Sequence, residues 1–154
     1  QGCEGSPEAA EEKVTWSFSQ RSLTRLNTCH PDLQLLMAEA LAAPECPCDF
    51  SVTSGHRGQQ EQDELYEAGR SKLRYPRSRH NSMPSLAVDA VPYIREEGGL
   101  TWEWEYIDPL ASHILDTWKR LEIEERVSGA YELEWGGSWR WRDGAHYQIN
   151  RVAS

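Results

Sequence analysis

The chain predicts an α+β fold in which a small antiparallel sheet packs against helices. Apolar residues recur at helical spacing over 31–41 and 106–123, and short strand-like runs lie apart from them at 86–91, 132–135 and 145–149. The length of 154 residues, 38% of them hydrophobic, suits one compact core and leaves no room for a second.

Taken in order, residues 1–15 read as an acidic arm, flexible or held by a disulfide, because Glu4, Glu8, Glu11 and Glu12 stand there with almost nothing apolar. A single domain is expected over 16–154. Ser19 is placed to cap a short helix ending at Leu26. Pro31 opens a second helix, whose Leu33, Leu36, Met37, Ala40 and Leu41 share one face. Phe50-Ser51-Val52 is a short strand leading into Ser54-Gly55-His56-Arg57. Gln59 to Ala68 is helical and stops at Gly69. Leu86 to Val91 is a short buried strand, with Pro84 before it and Pro92 closing it. Tyr106 to Ile123 is the main core helix, its apolar face made by Ile107, Leu110, Ile114, Leu115, Trp118 and Leu121. Glu132–Trp135 and Ala145–Ile149 are expected to pair as antiparallel strands. There is no internal repeat.

Charge and composition exclude several classes. A net charge of −9 and a pI near 5.0 repel nucleic acid and anionic membranes. No run approaches the ~20 apolar residues of a membrane span, so a soluble, monomeric mature chain is expected. Against this background Arg70, Lys72, Arg74, Arg77 and Arg79 form one basic run, which reads equally well as a solvated loop or a binding patch. Gln1 stands where an initiator methionine is absent, and the cysteines number four: Cys3, Cys29, Cys46 and Cys48. Together these predict secretion with two disulfides, Cys46 and Cys48 reaching Cys3 and Cys29 separately because a Cys46–Cys48 bridge would be strained. A second metal site from Cys29, His30, Cys46 and Cys48 is the weaker reading, since Cys-x-Cys is not the usual knuckle spacing.

Chemistry concentrates in three segments: Ser78-Arg79-His80, Leu86-Ala87-Val88-Asp89 and Asp143-Gly144-Ala145-His146. They supply two imidazoles and a carboxylate, the three protein ligands of a zinc ion with an open fourth position, and a further carboxylate beside the last histidine. His80 and Asp89 are too far apart for one helical face, but a loop and a strand can bring them to one point. A tight turn from Asp143 can put His146 on the metal and leave Asp143 over the adjacent water as general base. A lone histidine or aspartate is more often a satisfied polar group, and only the joint order of these residues favours a metal. His30 and His113 lack such support and read as structural; His56 is undecided.

With Ser54-Gly55-His56-Arg57, Gln60 and Glu134-Trp135-Gly136-Gly137-Ser138-Trp139 added, the pattern over about residues 16–150 resembles the zinc peptidoglycan peptidases. These comprise D-alanyl-D-alanine carboxypeptidases of the vancomycin-resistance type and phage L-alanyl-D-glutamate endolysins. The resemblance implies a zinc site at the sheet, in the fold shared with hedgehog signalling domains, with His80, Asp89 and His146 as ligands and Asp143 as base. It also implies that Arg57 steadies the substrate carbonyl or oxyanion, a role that its Ser-Gly-x-Arg setting favours over the structural salt bridge so acidic a chain also offers. The loop Asn81-Ser82-Met83-Pro84-Ser85 is longer than the common form and lacks its glycine, and Phe18-Ser19-Gln20-Arg21-Ser22-Leu23 also looks endolysin-like. The implied function is hydrolysis of the L-Ala-D-Glu bond in bacterial stem peptides, for lysis or antibacterial attack, by a secreted or phage-encoded enzyme. D-Ala-D-Ala cleavage is the alternative within the family. A non-catalytic zinc-containing binding protein is the alternative from another class. Trp16 and Trp118 are expected in the core, and Trp102 and Trp104 on one side if extended. Trp135, Trp139 and Trp141 flank the catalytic segment with even claims to core and to substrate.

Overall fold

The computed structural model describes residues 15–153, so residues 1–14 of the acidic arm, Cys3 among them, lie outside the described residues. Helix α1, Gln20–Leu26, is capped as expected: the Ser19 hydroxyl accepts from the Ser22 amide at 3.1 Å. Helix α2, Pro31–Ala42, opens on Pro31, and the His30 ring accepts from the Asp32 amide at 3.0 Å, which gives His30 a capping role. Asp32 in turn accepts from Ser128 through its amide and its hydroxyl, at 3.1 and 2.7 Å, and ties α2 to a distant loop. Strand β1, Asp49–Ser54, is followed by helix α3, Gln59–Glu67, which ends before Gly69 at φ +76°.

Strand β2, Ala87–Ile94, runs two residues past Pro92, where the sequence predicted a stop. The reason is geometric. The Ala90 amide donates toward Ala145 next to the last strand, β5, His146–Arg151, and by strand alternation the Pro92 nitrogen faces the same side. There β5 pairs only with Ala87–Asp89, so nothing asks Pro92 for a proton. The vacated edge is taken by a two-residue strand β3, Gly99–Leu100, which the sequence did not reveal.

Helix α4, Trp104–Ile123, starts two residues before Tyr106. Trp104 packs edge-on against Trp135 at 6.5 Å, and this tertiary contact outweighs the missing side-chain cap at Glu103 and the internal Pro109. Trp104 is therefore helical, and the condition under which it would face the same way as Trp102 is not met. The buried face holds Ile107, Leu110, Ile114, Trp118 and Leu121 with Ala111 and Thr117; Leu115 is only half-buried. His113 donates to or accepts from nothing catalytic; its Nε2 meets the Ala40 carbonyl of α2 at 2.8 Å.

Strands β4, Tyr131–Trp135, and β5, His146–Arg151, pair antiparallel as expected. The sheet order is β1-β2-β5-β4, with β3 beside β2. One core, built on Leu33, Leu36, Met37, Phe50, Ile114, Leu121 and Tyr147, lies between the sheet and helices α2 and α4. Trp118 belongs to it, and Trp16 packs against it.

Among the described residues there is no disulfide: Cys29, Cys46 and Cys48 are free thiols. This corrects the two-bridge expectation for Cys29, whose sulfur instead points to the carbonyls of Arg25 and Ala87. Cys46 points to the Cys48 carbonyl at 3.2 Å. Burial pushes the thiols up, to about 12 for Cys29, about 11 for Cys46 and about 12 for Cys48.

Candidate metal centre

Three pieces of backbone deliver the donors. His80 sits on a single helical turn, Arg79–Asn81, fixed by a reciprocal cap: Ser78 Oγ accepts from the His80 amide at 3.1 Å, and the Asn81 side chain accepts from the Ser78 amide at 3.0 Å. Asp89 lies on β2 directly opposite His146, the first residue of β5. Gly136 makes the turn before β5 possible, because a Cβ there would press on the Asp143 carbonyl and on the Cβ of His146. Gly55 is constrained in the same way by Arg25 and Thr28, and its carbonyl orients His80.

The two histidines present unprotonated nitrogens to the same oxygen. His80 Nδ1 lies 2.7 Å from the Gly55 carbonyl, which can only accept, so Nδ1 carries the proton and Nε2 the lone pair. His146 Nε2 lies 2.8 Å from Gln148 Oε1; the Gln148 amide nitrogen is spent on Glu134 and Asn150, so the Oε1 accepts and His146 Nδ1 keeps its lone pair. His80 Nε2 and His146 Nδ1 then stand 3.3 and 3.4 Å from Asp89 Oδ1. Three acceptors face one another in a buried place, and His80 Nε2 and Asp89 Oδ1 have no hydrogen-bond partner. One ligand atom from each residue lies within 4.8 Å of the others. Such a donor set fits a divalent cation, with neutral imidazoles oriented by outer partners. Burial works against the Asp89 charge, yet the His80 and His146 rings, when they carry a proton toward it, outweigh burial and hold the carboxyl well below the usual range, so Asp89 is anionic.

Asp143 and Arg57 line the cavity above this cluster, together with His80, Trp139 and His146. Asp143 stays exposed at the mouth. The protein crowded around it strips part of its solvation, and with the Asp89 charge this pushes its carboxyl above the ordinary value. Arg57 is tied down on three sides: to Ser54 Oγ at 3.2 Å, Gln62 Oε1 at 3.2 Å and Asp89 Oδ2 at 3.2 Å. His56 is outside the cluster, its Nδ1 at 2.9 Å from the Ser82 carbonyl.

Sequence reasoning missed Gln62 and Gln148, and named Glu134 in a motif without giving it a role. Gln62 is fully buried and holds both Arg57 and Asn81. Glu134 accepts from the Trp139 indole at 2.7 Å and from Asn150 and Gln148, and these donors, the indole first, hold it below its usual value. His146, Gln148 and Asn150 alternate along β5, and that period-two spacing was the available signal. Trp135 is half-buried against the core and donates to the Gly144 carbonyl; Trp139 leans on His146 with ring centroids 5.1 Å apart; Trp141 is exposed on the cavity wall.

Comparison with known proteins agrees with this architecture. The family model described as phage L-alanyl-D-glutamate peptidase matches residues 14–153. The peptidoglycan L-alanyl-D-glutamate endopeptidase CwlK of Bacillus subtilis (strain 168) is 34% identical over 122 residues, covering 73% of this chain and 68% of CwlK. The crystal structure of the Serratia marcescens L-Ala D-Glu endopeptidase ChiX superposes with a TM-score of 0.69 at 31% identity, over 90% of this chain and 92% of that one. The chain therefore belongs to the phage L-alanyl-D-glutamate peptidase family.

Proposed function

We propose that this chain is a zinc-dependent endopeptidase that hydrolyses the L-Ala-D-Glu amide of bacterial peptidoglycan stem peptides. The observation that carries the reading is the convergence of three unprotonated donors, from His80, Asp89 and His146, beneath an open cavity of about 850 Å³. A zinc ion held there supplies Lewis acidity toward the scissile carbonyl and a nucleophile at neutral pH. Asp143 is the general base: it takes the proton of the attacking water and returns it to the leaving amine, work suited to a carboxyl whose pKa is raised above its ordinary value. Arg57 holds Asp89 in place through Oδ2, and two of its five N–H groups remain for a substrate oxygen. The preference for L-Ala-D-Glu over D-Ala-D-Ala is supported by the family description and by both relatives, each named for that bond.

The enzyme acts as a monomer on the cell wall, reached by secretion or by release during phage-type lysis. None of the described helices is long and apolar enough to cross a membrane. The test is mass spectrometry of purified muropeptides incubated with zinc-loaded protein and with chelator-treated protein. Zinc-dependent products whose masses place the cut between L-Ala and D-Glu are expected. Loss of a terminal D-Ala would move the assignment to the carboxypeptidase reading, and intact muropeptides with zinc bound would favour a binding protein.

A further inference from the structure

Acids outnumber bases in this chain by 25 to 16, so a local excess of bases runs against the charge of the whole. Some cations are neutralised: Arg74 pairs with Glu67 at 2.8 Å, Arg126 with Glu39 at 3.1 Å, and Arg142, on the cavity wall, with Asp108 at 3.4 Å. Four others around the cavity are not. Arg70, Lys72, Arg77 and Arg140 all line it, are exposed, and among the described residues make no ion pair and no side-chain hydrogen bond; Lys72 only rests over the Trp141 ring at 4.7 Å. In all, seven of the 16 bases line this one cavity, against a single acid, Asp143.

We propose that Arg70, Lys72, Arg77 and Arg140 form a carboxylate-recognition subsite that makes the free-acid stem peptide, rather than its amidated form, the preferred substrate. The inference rests on the endopeptidase reading above. Four like charges held together around one cavity repel one another, and an anion there relieves the repulsion. The floor of the cavity is His80 and His146, so the anion belongs to the molecule being cut. In a stem peptide the D-Glu residue is linked onward through its side chain. Its α-carboxylate is therefore left free on the carbon that bears the scissile nitrogen, beside the bond being cut. Amidation replaces that carboxylate with a neutral group that cannot pair with a guanidinium. Arg74, although part of the same basic run, is spent on Glu67 and is absent from the cavity wall.

The experiment measures binding of two tripeptides, L-Ala-γ-D-Glu-diaminopimelate and its D-isoglutamine counterpart, to zinc-loaded Asp143→Ala protein by calorimetry, with inorganic phosphate as competitor. Cleavage of both by the unmodified protein is followed in parallel. The free acid is expected to bind about tenfold or more tightly, the worth of one charge-assisted contact. The ratio should collapse toward one in the Arg77→Gln/Arg140→Gln and Arg70→Gln/Lys72→Gln double variants and persist in Arg74→Gln. Equal affinity for the two peptides, a ratio that survives both double variants, or displacement of both peptides by phosphate with equal ease would overturn the subsite. Failure of the unmodified protein to cut either peptide would count against the endopeptidase reading alone, because the binding ratio decides the subsite separately.

Discussion

At the scale of single residues, the histidine pair shows how much of a candidate metal centre lies outside its donor atoms. Gly55 and Gln148 decide which nitrogen of each ring is free, and Arg57 decides how Asp89 is turned. Replacing Gln148 with Leu removes the acceptor that fixes His146, and zinc affinity should weaken about 10- to 100-fold, measured by competition with a chromophoric chelator. Asp143→Asn should keep the zinc and lower kcat/KM by about 10²- to 10⁴-fold, because it removes only proton transfer. The grouping of His80, Asp89 and His146 was legible in the sequence because their flanking residues occur in family order. Gln62 and Gln148 were not, since an interior glutamine announces itself only by whom it meets.

At the scale of elements, local signals located the helices and every strand but β3, though not all of their ends. Ser19, Pro31 and Gly69 marked boundaries correctly because a cap, a fixed φ and a positive φ are local matters. The start of α4 depends on Trp135, and the passage of β2 through Pro92 depends on where β5 ends; neither is local. Helix α2 is tied to the rest of the core by residues that are wholly inaccessible. Leu36→Ala should therefore cost about 2–5 kcal/mol in urea unfolding, whereas Ser19→Ala, which loses only the cap of α1, should cost about 1 kcal/mol.

At the scale of the molecule, buried thiols and an uneven charge distribution set how the protein responds to its surroundings. Cys29, Cys46 and Cys48 are protonated in folded and unfolded chains below pH 9; from there to about 11–12 only the unfolded chain ionises. Stability from these groups is therefore complete below pH 9 and is lost as pH rises through that window. The melting temperature should fall between pH 9 and 11, and the fall should be shallower in a Cys29→Ala/Cys46→Ala/Cys48→Ala variant. The sequence misled on these thiols because an even cysteine count says nothing of distance, and the fold sends Cys29 toward β2. The net charge of −9 was legible at once, but the gathering of seven bases around one cavity was not, because Arg140 and Arg142 join the basic run only when the chain folds. The proposed division of labour, with His80, Asp89 and His146 holding the metal and Asp143 handling the proton, is tested by zinc content per chain beside muropeptide cleavage. One zinc is predicted in the unmodified protein and in Asp143→Ala, with cleavage only in the former. The His80→Ala, Asp89→Ala and His146→Ala variants should lose both. Zinc retained by all three of these variants, or cleavage retained by Asp143→Ala, would rule that division out.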